Sequence, residues 1–309
     1  MKRTRRFFIL IASFIWILSS EGAAQTAESA PSLQLNFGFP KTVLPDLNER
    51  DAKAAIKVWT EDVIEKRHYH YRTAFFLYDD VRTLIEAMKN GRVNIAPLSP
   101  VDYLRLRKTF FLYPAVLARV NETLMDRFVL LAHRNGPYTD VRDLAGRSLL
   151  LKQDSPNSVL SVWLEVMLHE RGLSGSERFF GSITRKEREM QLIFPLLLKQ
   201  ADCCVIPQSA FDTMCELNPQ ISEQLVALIT SEPYYASNIF CYTDQLDEET
   251  RNRVTSFALN WEKSKATEQL QTLFRFNQLI PYDSEYLVNI ELLLERYDRI
   301  EKEDAETRR

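Results

Sequence analysis

Glycine is scarce in this chain, with 8 residues in 309. Neither a G-x-G-x-x-G turn nor a P-loop is present. That excludes the usual dinucleotide fingerprint and nucleotide hydrolysis by this chain. Cysteine is sparser still: Cys203, Cys204, Cys215 and Cys241 stand at spacings that fit no zinc pattern. G-x-S-x-G, H-E-x-x-H and catalytic Cys/His signatures are missing as well, so the motifs give catalysis no support. Neither charge dominates. The 39 Lys and Arg nearly balance 42 Asp and Glu, and no global basic field recruits nucleic acid. Internal repeats, low-complexity tracts and heptad runs are absent too.

What is present begins with an export signal. Lys2, Arg3, Arg5 and Arg6 precede an apolar run from Phe7 to Leu18. Gly22-Ala23-Ala24 then offers small residues for a cut before Gln25. The apolar run is short for the roughly 20 residues a spanning helix needs. Residues 1–24 are therefore expected to be a cleaved signal peptide, and residues 25–32 a flexible leader. An oxidising compartment permits disulfides. Cys203 and Cys204 are neighbours in an apparent strand, so their side chains point to opposite faces. A bridge from one of them to Cys215 on the following helix, Cys204–Cys215 being the candidate pair, stands beside buried free thiols as an equal reading.

The stretch Leu84 to Leu104, LIEAMKNGRVNIAPLSPVDYL, carries the most information. Leu84, Ile85 and Met88 make a helical stripe that Asn90-Gly91 ends. Val93, Ile95, Ala96 and Leu98 form a run short enough for an interior strand. Ser99 then stands where an N-cap belongs, with Pro100 at the first helical position. Such a junction lies at the carboxyl end of a strand, where open α/β sheets bind small polar ligands. Similar alternation runs through the chain: strands at 33–39, 69–78, 113–120 and 128–132, then a helix from Ser158 to Arg171 and strands at 201–206, 225–230 and 238–242. Beyond Tyr242 the pattern reads as helical. Alternating strands and helices predict largely parallel sheets covered on both faces. Two histidines, His68 and His70, share one strand face, but no carboxylate or cysteine at ligand spacing joins them.

The order of these segments resembles the phosphate/phosphite/phosphonate-binding solute-binding proteins of ABC transporters, a branch of the two-lobed periplasmic binding proteins of type II. The residues that carry the resemblance are LNFGFP, the Leu84–Leu104 stretch, DVRDLAGRSLLLKQDSPNS, HERGL, ADCCVI and LDEETRNRVTSFALNWEK. It implies two α/β lobes joined by crossing strands: lobe one at 33–132 plus 228–309, lobe two at 133–227. It implies a ligand between them, with Tyr78, Ser99 and Tyr103 acting from lobe one and Ser155, Asn157 and Ser158 from lobe two. The chain departs from the family pattern in four places. Asn94 replaces an acid, Val159 and Leu160 replace two hydroxyls after Ser158, Glu189 or its neighbours lie where a histidine is usual, and Pro207-Gln208 replaces an acidic position.

The function expected from this resemblance is capture of a small anionic solute in the periplasm for a membrane permease, by a monomer without cofactor or metal. Two other readings stand beside it: a binding protein that signals to a sensor kinase, and an enzyme on the same scaffold. Tyr234 and Tyr235, in a loop between crossing strands, are further candidates for lining the cleft.

Overall fold

In the computed structural model the described residues are 33–41, 50, 54, 57, 58, 71–120, 124–153, 158–260, 265–274 and 276–307. The signal segment, the leader, His68, His70, Ser155 and Asn157 lie outside them. The chain runs through β1 (Leu33–Pro40), β2 (Tyr71–Tyr78), α1 (Val81–Lys89), β3 (Ile95–Leu98), α2 (Pro100–Leu106), β4 (Tyr113–Arg119) and β5 (Phe128–His133). Next come β6 (Ser148–Lys152), α3 (Val159–His169), α4 (Ser176–Phe179), β7 (Ser182–Lys186), α5 (Met190–Leu197), β8 (Cys203–Pro207), α6 (Gln208–Leu217) and α7 (Gln220–Gln224). The last elements are β9 (Leu225–Thr230), β10 (Ile239–Tyr242), α8 (Glu248–Leu259), α9 (Lys265–Phe274), β11 (Gln278–Pro281) and α10 (Val288–Thr307).

Local chemistry sets these boundaries. The Asp80 side chain accepts from the Thr83 amide at 2.8 Å and caps α1. Gly91, at φ +74°, closes that helix in a conformation that other residues adopt at a cost. Gly38 is needed for a different reason. A Cβ there would lie 2.6 Å from Leu84 Cδ1 and 2.8 Å from Val93 Cγ1, so α1 packs directly on the β1 backbone. Asn94 ties β1 to the start of β3: its Oδ1 accepts from the Asn36 amide at 2.8 Å, and its Nδ2 donates to the Gln34 carbonyl at 2.9 Å.

The strands form two sheets. One has the order β11-β4-β10-β3-β1-β2, the other β7-β6-β8-β5-β9. Parallel pairing holds where helices make the crossovers, between β1 and β3 and between β6 and both β7 and β8. The expectation of largely parallel sheets needs correction elsewhere. β10 runs antiparallel to β3 and β4, β11 to β4, and β5 to both β8 and β9. For β5 and β10 the cause is topological, because each enters its sheet from the other at the carboxyl edge and so runs against its neighbours. β11 is a second correction, since this part of the chain reads as helical in sequence. Its four residues become a strand by pairing with β4 at the sheet edge.

Two segments pass between the sheets. Residues 120–127 lead from β4 to β5, and 231–238 lead from β9 to β10. The expected division at Ala132-His133 falls within β5, which pairs with β8 and β9 in the second sheet from Phe128 to His133. The crossings touch at Asp126 and Tyr234, whose backbones exchange hydrogen bonds of 2.9 and 2.7 Å. Register shows which edges they join. Ile239 stands opposite both Leu98 and Leu117, so β10 starts at the carboxyl ends of β3 and β4. Phe128 stands opposite Pro207, so β5 starts at the carboxyl end of β8, and hence beside the ends of β6 and β7. Each crossing thus joins the carboxyl edge of one sheet to that of the other.

One apolar cluster runs through both halves. It takes Leu84, Leu98 and Leu117 from the first sheet and its helices, and Leu149, Leu151 and Trp163 from the second. Cys203 belongs to this cluster, whereas Cys204 belongs to another on the opposite face, with Cys215 packed against it. The alternation expected for the two neighbours therefore holds. The bridge does not, because all four cysteines are free thiols. Burial raises the pKa of Cys203, Cys204 and Cys215 and keeps them protonated. The last helix, α10, lies across both halves. Glu291 pairs with Arg107, the residue that ends α2, and Arg296 pairs at 3.2 Å with Glu170, which ends α3. Asn289 Nδ2 donates at 2.9 Å to the Pro233 carbonyl in the second crossing.

Candidate functional site

The candidate site lies on the two carboxyl edges. On the first, β3 ends at Leu98 and Ser99 caps α2. Its Oγ accepts from the Asp102 amide at 3.1 Å and donates to Asp102 Oδ2 at 2.6 Å. The hydroxyl proton is therefore directed at a buried carboxylate. Tyr103 is 4 % exposed and belongs to the core. Its ring meets Tyr282 edge-on at 6.0 Å between centroids, with the two hydroxyls 3.4 Å apart. Arg107 stands 5.6 Å from the Tyr103 ring centroid, a cation–π contact. Burial, and then the Tyr103 hydroxyl, raise the pKa of Tyr282. Tyr78 ends β2 and is partly buried. Desolvation raises its pKa, against a smaller lowering by the Arg92 charge.

On the second edge, β6 ends at Lys152 and Ser158 caps α3. The Ser158 Oγ accepts from the Ser161 amide at 3.2 Å and donates to Ser161 Oγ at 3.1 Å. Val159 and Leu160, which stand in place of hydroxyls, are 3 % and 6 % exposed and face the core. Ser158, where the sequence starts this helix, is its cap, while Ser155 lies outside the described residues. Lys152 Nζ lies 2.6 Å from Glu189 Oε1, so the acid at the start of α5 is matched by a cation beside it. At the end of β8, the start of α6 is served by Asp126 from the first crossing, which accepts from the Ser209 amide and hydroxyl. This carboxylate comes from 83 positions away along the chain, and no local motif announces it.

Four of the sequence candidates are thus placed. Ser99 and Ser158 cap helices on the two joined edges, Tyr78 ends an edge strand, and Tyr103 is built into the first half. Tyr234 and Tyr235 do not line an opening, because they are 1 % and 0 % exposed. Tyr235 is held at its hydroxyl by the carbonyls of Asn238, at 2.6 Å, and Ala118, at 3.1 Å. Tyr234 stacks on Phe128 at 6.1 Å. Both tyrosines brace the crossings.

Two α/β sheets joined at their carboxyl edges by two crossings define a two-lobed binding protein of the type II periplasmic class. The chain belongs to the family described as "ABC transporter, phosphonate, periplasmic substrate-binding protein", whose model matches residues 42–287. Solved structures agree on the fold. A binding-protein component of an ABC phosphonate transporter from Pseudomonas aeruginosa is 15% identical, with TM-score 0.60 and 87% of each chain covered. An ATP-bound protein from Xanthomonas citri is 12% identical, with TM-score 0.65, covering 88% of this chain and 99% of its own. PhnD1 from Prochlorococcus marinus, in complex with methylphosphonate, is 13% identical, with TM-score 0.59, covering 86% of this chain and 98% of its own. No curated protein sequence matches the chain.

Proposed function

We propose that this protein captures a small oxyanion, a phosphonate or a close relative, between its two sheets and presents it to the membrane permease of an ABC transporter. The observation that carries this reading is the family match over residues 42–287, on a fold whose two crossings join carboxyl edges. In this reading the N-terminal stretch is an export signal cut before Gln25, and the protein works in the periplasm as a monomer. The lobes we propose follow the sheets: residues 33–119 with 239–309 on one side, and 128–230 on the other. Ligand that touches both lobes favours the closed form, which the permease then reads.

Ser158, with Ser155 and Asn157 before it, is the oxyanion contact we assign to the second lobe. Tyr78 and Ser99 serve from the first. Tyr103 acts from behind α2, since its hydroxyl faces Tyr282. Transport is preferred to sensing because the family is a transporter family, and binding is preferred to catalysis because the sequence holds none of the nucleophile or metal signatures tested above. Calorimetry and thermal shift with methylphosphonate, phosphate, phosphite and methanesulfonate test the proposal. At least one oxyanion is expected to bind saturably, with the affinity lowered in Ser158→Ala. Stabilisation by uncharged solutes alone would overturn it.

A further inference from the structure

Arg119 ends β4, at the edge from which the first crossing leaves. Side chains alternate along a strand, and the cluster memberships of β4 follow that rule. Leu117 lies in the cluster common to both halves, whereas Val116 and Ala118 face the opposite side of the sheet. Arg119 therefore shares the Leu117 face. Leu98, Ile239 and Leu117 stand in register, so Ser99 and Arg119 flank the start of β10 on the same edge. Two strand spacings separate β3 from β4, roughly 10 Å, a span that an arginine side chain and a small ligand together bridge.

The Arg119 Nε is buried and has no hydrogen-bond partner among the described residues, and no carboxylate there pairs with its guanidinium. Other arginines near the crossings are engaged: Arg107 with Glu291, Arg127 with the Ser231 carbonyl at 2.8 Å, and Arg296 with Glu170. A shielded guanidinium donor without a partner is costly unless something fills its place. A planar fork of N–H groups suits a tetrahedral oxyanion in a bidentate contact.

We propose that Arg119 is the cationic contact for the ligand and sets its charge class, favouring a dianionic phosphonate over a monoanionic sulfonate. This inference rests on the oxyanion reading above. It also accounts for the lost hydroxyls at Val159 and Leu160, because one guanidinium replaces the neutral donors that they would supply. Lys152 cannot fill this role while Glu189 holds it.

The test is calorimetry of the purified protein with methylphosphonate and with methanesulfonate, at a mildly alkaline pH where the first is a dianion. Arg119→Met is expected to weaken methylphosphonate about 30-fold, as loss of a hydrogen bond to a charged group does. Methanesulfonate should weaken less, so the preference between the two ligands collapses. Arg119→Lys keeps the charge without the fork and should bind methylphosphonate at an intermediate strength. It also covers the case in which Arg119→Met fails to fold. If either folded variant binds methylphosphonate within about twofold of wild type, a change near zero on the free-energy scale, the Arg119 inference is overturned and the oxyanion reading survives. If wild type binds no oxyanion, both fall.

Discussion

Two serine-capped helices meet the joined edges of this protein, and they differ in what surrounds the cap. At α2 the Ser99 hydroxyl gives its proton to Asp102, an acid in the first turn. At α3 the Ser158 hydroxyl donates to Ser161, and the first turn carries no acid. Acids near a helix start satisfy its dipole internally, and a start without one is left to attract an external anion. The same N-cap residue thus gives its proton to a carboxylate on one edge and to a hydroxyl on the other. Sequence position is similar in the two cases. The residue three places after the cap makes the difference.

The largest test of this contrast is Trp163→Ala. Trp163 anchors α3 to the core against Phe128, at 5.8 Å between ring centroids, and its loss should cost about 3–5 kcal/mol in chemical denaturation. If α3 were held by its cap alone, the cost would be far smaller. Next comes Asn94→Asp, which tests whether the first lobe tolerates the family's acid. The substitution removes the donor to the Gln34 carbonyl and sets a carboxylate against it, for about 2 kcal/mol at neutral pH. Because the new carboxylate is favoured protonated in the fold, the cost should shrink as pH falls.

The two caps themselves come third. Ser99→Ala and Ser158→Ala should each lose about 1 kcal/mol of stability. Ser158→Ala should weaken oxyanion binding by about tenfold, and Ser99→Ala, whose hydroxyl proton is held by Asp102, by less. Equal losses of affinity in both variants would erase the distinction between the edges. The smallest effect concerns Asp202, at the opposite end of the second sheet. Burial alone would raise its pKa, but hydrogen bonds from Tyr138 and Ser148, helped by Arg147, outweigh burial and hold it below 3.8. A depressed folded pKa stabilises above the unfolded value, and that contribution is lost as pH falls through the folded one. Asp202→Asn should therefore flatten the acid limb of the stability–pH curve and leave ligand affinity unchanged.

Much of the first half was legible in sequence because its signals are local. The stripe of α1, Gly91, the four-residue β3 run and the Ser99–Pro100 start each follow from neighbouring residues. The second edge was harder to read. Val159 and Leu160 read as lost hydroxyls in sequence, and only packing shows them turned to the core. β11 was illegible because four residues pair only when β4 is already in place. Arg119 was missed for a similar reason: an arginine at a strand end is ordinary until its buried Nε is found without a partner among the described residues. Asp126 reaches α6 across more than 80 positions, which no spacing rule detects.

The helix α10, pinned to Arg107 at one place and Glu170 at another, has a thermodynamic consequence. Lobes linked only by two strands would melt separately, as independent domains do. Here a shared apolar cluster and a common strut make each half part of the other's interior. Denaturant should find one transition reported alike by fluorescence and circular dichroism, with a slope that scales with the surface exposed by both sheets together. Cooperativity in this molecule belongs to the pair.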